Sequence, residues 1–313
     1  MTDATPPTSP PPAEAAPFRR VAVLGAGLMG TGIAQCCAEA GFPVTWIDVS
    51  ADALDRGRNR IDGFMQRKAA KGRLTTEEAA DVTRRLTPAT DLAAAADADL
   101  VIEAVPEKLP LKQQVFRELD AAIGADTVVA SNTSGLSVSA LGACSTRPER
   151  VAGMHFFYPA PLMKLVELTP GMLTDPSVID RLRGFADAIG KTPVLAKDYP
   201  GFVVNRMLVP MLNEAIHVVM EGVSPDDVDA AMTLGANHPM GPITLADFVG
   251  LDILLATMEG LHDGFRDSKY RPCPLLVRMV EAGTLGRKTG RGFYRYDPDG
   301  RRTDGPAAGK DAT

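Results

Sequence analysis

Three observations predict an α/β fold, a doubly wound and mostly parallel sheet followed by a smaller all-α domain. Short β-rich runs alternate with helical stretches over roughly the first two hundred residues. Those runs are apolar almost throughout, as in parallel strands covered on both faces. Beyond "DYPGF" the β-rich runs cease, and apolar residues recur at helical spacing over many turns.

Each element has its own warrant. "RRVAVLGAG" reads as a strand ending in glycines, and "LMGTGIAQCCAEAG" as a helix closed by Gly41. "PVTWIDVS" is a second strand. Residues 51–71 and 75–85 read as helices, the latter opened by a capping box of Thr75 and Glu78. "ADLVIEAVPE", "DTVVASNTS" and "RVAGMHF" are further strands, with a helix over Leu111–Ile123 between the first two. "KLVELTP" and "TPVLAKD" continue the sheet. In the second half, Ser224 caps a helix that carries Pro225 in its first turn. The expected domains are a disordered tail over 1–17, a nucleotide-binding domain over 18–199, a helical substrate and dimerisation domain over 200–297, and a tail over 298–313. Six prolines among the first 17 residues and little apolar surface argue against order there.

Composition narrows the function. A net charge of −6 gives no electrostatic case for a nucleic-acid partner. No apolar run approaches the ~20 residues of a membrane-spanning helix, and the start lacks the basic and apolar regions of a secretion signal. Cys36, Cys37, Cys144 and Cys273 fit no zinc spacing. Reduced thiols in a cytoplasmic protein, with no metal, are expected.

"VAVLGAGLMGTG" holds Gly25, Gly27 and Gly30 in the spacing of a dinucleotide turn. Its context decides its weight: a strand precedes it, a helix follows, and a second strand ends in Asp48, 23 positions after Gly25. This is the Rossmann-type arrangement. Gly25 permits the tight turn, Gly27 the approach of a pyrophosphate, and Gly30 close packing of the helix. The helix N-terminus, at Leu28 and Met29, offers N–H groups to phosphate. Asp48 suits the ribose hydroxyls of NAD and would repel the extra phosphate of NADP. FAD is the alternative for the fingerprint alone.

His155 ends an apolar strand on the side where such sheets bind ligands. Glu167, in "KLVEL", lies on a neighbouring strand after an eleven-residue connection. A buried carboxylate needs a partner, and an imidazole is one. Such a pair suits a base that takes an alcohol proton while the carbon gives hydride to a nicotinamide.

"GAGLMGTGIAQ", "VPEKLPLKQQVF", "ASNTSGLSVSAL", "GMHFFYPAPLMKLVEL", "PGFVVNRML", "GPITLADFVGLD" and "GRKTGRGFY" together resemble the L-3-hydroxyacyl-CoA dehydrogenase family, in particular its 3-hydroxybutyryl-CoA type, from about residue 18 to 297. The resemblance implies His155 as catalytic base with Glu167 as its partner. It implies Ser134 at the substrate 3-oxygen and Asn205 as an active-site residue from the helical domain. Glu107, Lys112 and Lys288 match cofactor-contacting positions. Residues 56–73 carry seven basic residues and one acid. Lys68 and Lys71 there match the family's lysines loosely and suggest a landing surface for the phosphates of CoA, where the ordinary reading is a solvated helix face.

Two residues depart from the family pattern. Tyr158 stands where "HFFNP" has Asn, and Gly135 where "NTSS" has Ser. Tyr keeps a hydroxyl donor but loses the paired amide groups, so a reshaped acyl pocket is expected. Two alternatives stay open on the sequence. One is the same chemistry on a hydroxyacyl or glyceryl group carried by an acyl-carrier protein. The other is a non-catalytic NAD-binding structural protein.

Overall fold

A computed structural model describes residues 17–304. The chain divides into two units, with the break after Asp198. The first contains β1 (Val21–Leu24), α1 (Leu28–Glu39), β2 (Val44–Ile47), α2 (Ala51–Ala70), α3 (Thr76–Arg84), β3 (Leu86–Ala89) and β4 (Leu100–Glu103). It continues with α4 (Leu109–Ala122), β5 (Val128–Ser131), α5 (Val138–Gly142), β6 (Val151–Phe156), β7 (Leu165–Pro170), α6 (Pro176–Ala188) and β8 (Thr192–Leu195).

The eight strands form one sheet in the order β3-β2-β1-β4-β5-β6-β7-β8. Every pairing is parallel except β6 with β7. The chain's direction across the sheet reverses between β1 and β4, which opens a crevice at their carboxyl ends. The central strands β1, β4 and β5 are wholly buried, as continuous apolar runs between two helical layers must be.

One strand was absent from the sequence reading. β3, "LTPA", pairs only with β2 and carries Pro88. An edge position tolerates the missing N–H, but four residues with a proline give no β signal. The capping box forms as read: Thr75 Oγ1 accepts from Glu78 N, and Glu78 accepts from Thr75 N. Helix α1 is buried from Gly30 to Ala38, which its small side chains permit. Trp46, Phe18, Phe42, Ile33 and Phe185 pack in the core of this unit.

The second unit contains α7 (Val204–Met220), α8 (Pro225–Gly235), α9 (Pro242–Val249), α10 (Leu251–Phe265) and α11 (Pro274–Glu281) around its own core. A short arch of isolated bridges follows over 286–302. Two buried carboxylates pin that arch. Asp247 accepts from Phe293 N, Tyr294 N and the Tyr296 hydroxyl at 3.0–3.1 Å. Asp229 accepts from Ile243 N, Thr244 N and the Tyr294 hydroxyl. Burial pushes the Asp247 carboxyl above its ordinary range despite these donors.

Residues 298–304, assigned to the tail on sequence, continue this arch instead. Asp297 N donates to Arg301 O, Thr303 N donates to Arg295 O, and the Arg302 guanidinium pairs with Asp226 at 2.7 Å. Long-range partners order a segment whose own composition is polar. Residues 1–16 and 305–313, the remainder of the two expected tails, lie outside the described residues. Among the described residues, no helix is long and apolar enough to cross a membrane.

Candidate active site

The glycine loop joins β1 to α1. Gly25 has φ +103, and a Cβ there would lie 2.6 Å from the carbonyl oxygen of Ala104. Both facts demand glycine. At Gly27 a Cβ would meet nothing within 4 Å among the described residues, so the backbone there is open to approach. At Gly30 a Cβ would run into the Gly25 carbonyl. Its close approach is to the residue that directly follows β1, where α1 comes up against the end of that strand. The Trp46 indole braces the loop by donating to Gly25 O at 3.0 Å.

Leu28 and Met29 begin α1, whose first-turn N–H groups lack intrahelical acceptors. The first turn carries no acidic residue. Asp48, just beyond β2, accepts from Ala26 N at 2.6 Å and Ser50 N at 2.9 Å. Its carboxylate is thus held beside the loop. Open space over Gly27, unsatisfied N–H groups and an oriented carboxylate fit a dinucleotide.

Antiparallel pairing sets His155 on β6 directly opposite Glu167 on β7. Nδ1 of His155 lies 2.8 Å from Oε2 of Glu167. Glu167 is 0% exposed and His155 6%. An ionised carboxylate only accepts, so opposite one the proton of a neutral imidazole would sit on Nδ1. Phe157 lies against the imidazole, with ring centroids 4.5 Å apart. Phe156 N donates to Asn132 Oδ1 at 2.8 Å, tying the end of β6 to the loop after β5.

That loop carries Ser134. Its N–H donates to Glu107 Oε1 at 2.8 Å and its hydroxyl at 3.3 Å, while Thr133 Oγ1 donates to the same oxygen at 2.5 Å. Lys112 on α4 is not a solvated helix residue. It is 1% exposed, with Nζ 2.6 Å from Glu103 Oε1 and 3.3 Å from Glu107 Oε2. Glu107, Lys112 and Ser134 therefore form one cluster, and Glu103 belongs to it although sequence reading passed it over.

The remaining expected residues lie on other elements of the two units. Tyr158 is 57% exposed in the β6–β7 connection, joined to Pro159 by a cis peptide. Lys191, also unforeseen, holds that connection by donating to Ala160 O and Met163 O at 2.6 and 2.9 Å. Gly135 is exposed beside Ser134. On α2, Lys68 pairs with Glu39 and lies over the Phe64 ring, so its charge is already engaged; Lys71 is exposed at the helix end. In the second unit, Asn205 sits half-buried in the first turn of α7, and Lys288, on the pinned arch, pairs with Asp252.

Sequence comparison attaches this geometry to known proteins. Residues 20–199 match the family "3-hydroxyacyl-CoA dehydrogenase, NAD binding domain", and residues 201–296 match "3-hydroxyacyl-CoA dehydrogenase, C-terminal domain". The chain belongs to the 3-hydroxyacyl-CoA dehydrogenase family. It is 50% identical over 283 residues to a 3-hydroxybutyryl-CoA dehydrogenase of Bradyrhizobium diazoefficiens, covering 90% of this chain and 97% of that one. A probable 3-hydroxybutyryl-CoA dehydrogenase of Bacillus subtilis is 48% identical, covering 90% and 98%. The crystal structure of (S)-3-hydroxybutyryl-CoA dehydrogenase from Ralstonia eutropha superposes with TM-score 0.87 at 44% identity, covering 90% and 99%. This enzyme is thus an NAD-dependent oxidoreductase with the eight-stranded sheet and helical second domain of that family.

Proposed function

We propose that the enzyme interconverts a short-chain L-3-hydroxyacyl-CoA, such as 3-hydroxybutyryl-CoA, and the corresponding 3-oxoacyl-CoA. The observation that carries this reading is the buried His155–Glu167 pair, on the sheet whose glycine loop and Asp48 fit a dinucleotide. The names of its relatives support the acyl length.

In oxidation, His155 Nε2 takes the proton of the 3-hydroxyl, and Glu167 stabilises the imidazolium through Nδ1. In reduction, His155 returns that proton to the 3-oxygen. When bound, the nicotinamide supplies the hydride acceptor or donor. With substrate bound, the Ser134 hydroxyl turns from Glu107 to donate to the reacting oxygen, and Asn205 supports substrate from the helical domain. The loop from Gly25 to Gly30, including Leu28 and Met29, takes the pyrophosphate. Asp48 takes the ribose hydroxyls and favours NAD over NADP by repelling a 2′-phosphate. Glu107 meets the cofactor with Lys112 behind it, and Lys288 lies near it. Tyr158 borders the acyl pocket.

Lys68 and Lys71 form the landing surface for the phosphates of CoA, with Lys71 the more available. A homodimer is proposed for the assembled enzyme, its interface drawing on exposed apolar side chains of the second unit such as Met207 and Leu234. Four unpaired cysteines support a cytoplasmic location.

The test is NADH and NADPH oxidation with acetoacetyl-CoA, longer 3-oxoacyl-CoAs and a carrier-bound 3-oxoacyl group. Turnover should be greatest with acetoacetyl-CoA and NADH. His155→Ala should abolish it with NADH binding intact. Activity on the carrier-bound group alone, or undiminished activity of His155→Ala, would refute the reading.

A further inference from the structure

The ends of β4 and β5 hold a polar cluster that the reaction chemistry leaves unexplained. At its centre is Glu103, the last residue of β4 and 0% exposed. Register sets it beside Ser131, the last residue of β5. Its Oε1 accepts from Lys112 Nζ at 2.6 Å and from Val105 N at 2.8 Å; its Oε2 accepts from Ser131 Oγ at 2.5 Å. Lys112 is as dry as Glu103. A buried carboxylate and ammonium are expensive to maintain, so the pair invites a reason beyond packing.

Two routes lead from Glu103 to one loop. Through Lys112, the first reaches Glu107 Oε2 at 3.3 Å, and Glu107 in turn holds Thr133 Oγ1 and both the N–H and hydroxyl of Ser134. Through Ser131, the second reaches Thr133 N at 3.2 Å. Thr133 Oγ1 then accepts from Gly135 N and Leu136 N, which fixes the turn that displays Ser134.

We infer that Glu103 is a positioning residue for Ser134, acting along both routes. This rests on the proposed dehydrogenase reading. While Glu103 neutralises Lys112, the ammonium stays at hydrogen-bond distance from Glu103 and engages Glu107 only at longer range. Glu107 then keeps Oε1 on Thr133 Oγ1 and the Ser134 N–H, which holds Ser134 in place while its hydroxyl, 3.3 Å from Glu107, turns to the substrate oxygen. Without the Glu103 charge, Lys112 has Glu107 as its remaining counter-ion here and draws it off that loop.

The experiment compares wild type, Glu103→Gln, Ser131→Ala and the double variant in acetoacetyl-CoA reduction by NADH. Rates are normalised to folded protein, and melting temperatures are measured separately. Glu103→Gln should lower kcat by about 10- to 100-fold, the scale of a displaced catalytic group. Ser131→Ala should also lower kcat. The double variant should lose less than the product of the single losses, because both act on one loop. A lower melting temperature with unchanged kcat per folded site would overturn the inference, as would fully multiplicative losses. If Glu103→Gln does not fold, Ser131→Ala decides: unchanged kcat overturns the inference and a fall supports it. Absence of turnover in wild type would instead overturn the dehydrogenase reading.

Discussion

Replacing Glu167 by Gln separates charge from shape at the proposed base. Gln has the size of Glu and can still accept from Nδ1, so the 2.8 Å contact survives in outline. What disappears is the negative charge facing the imidazolium. A hydrogen bond to a charged group contributes about 1.5–3 kcal/mol and a neutral one about 1 kcal/mol. The transition state therefore loses roughly 0.5–2 kcal/mol, or about 2- to 30-fold in kcat/KM at about 1.4 kcal/mol per decade. A flipped amide, donating to Nδ1, would impose the wrong tautomer and deepen the loss. Because Glu167 is 0% exposed, the variant also removes a buried charge, and its melting temperature should hold or rise. Steady-state NADH oxidation with acetoacetyl-CoA reads the rate, and scanning calorimetry reads the fold. A large fall in melting temperature with unchanged kcat/KM per folded site would mean that Glu167 is structural, and the orienting argument would fail.

Gly30→Ala should destabilise the first unit by about 1–3 kcal/mol through overlap with the Gly25 carbonyl. Gly27→Ala, with nothing within 4 Å of its Cβ, should leave urea stability almost unchanged while weakening NADH binding in a fluorescence titration; equal effects on stability would sink the distinction. A thiol reagent should find a single fast-reacting cysteine in native protein, Cys144, because Cys36, Cys37 and Cys273 are buried and burial pushes the Cys36 thiol up to about 11; rapid labelling of more than one would contradict this. Against the opposing effect of burial, hydrogen bonds from Ser145 and Thr146 and the nearby Arg147 guanidinium hold the Asp120 carboxyl down at about 2. A depressed value stabilises the fold above the unfolded pKa of about 3.9, and the gain is lost as pH falls through about 2. The urea-unfolding gap between wild type and Asp120→Asn should accordingly be constant above about pH 5 and shrink progressively below it, through about pH 2; a gap independent of pH would refute the assignment.

Glu103 and Glu167 carry the same local signature. Both are lone acids in apolar strands, "LVEL" and "LVIEAV". Glu167 was legible because a histidine lay nearby in the chain to pair with it. Glu103 has its ammonium nine residues on, inside a helix, where a lysine ordinarily faces water. Lys68 illustrates the converse. In the sequence it belongs to a basic run, whereas in the fold Glu39, 29 residues earlier, engages it. Residues 298–304 read as tail because the groups that order them, the Asp226 carboxylate and the backbone of Asp297 and Arg295, lie outside that polar segment.

Signals between neighbouring residues determined a good deal: the glycine turn between strand and helix, the Thr75 and Ser224 caps, the alternation of strands and helices, and the family with its His155 and Glu167. Backbone preferences and apolar periodicity act over a few residues, so the chain states them locally. The tertiary structure alone decided which charges meet, that β3 closes one edge, that β7 runs antiparallel to β6 and sets Glu167 opposite His155, and that Lys112 is dry. Strand register and burial bring together residues far apart in the chain, and a buried charge takes its meaning from the partner that folding places beside it.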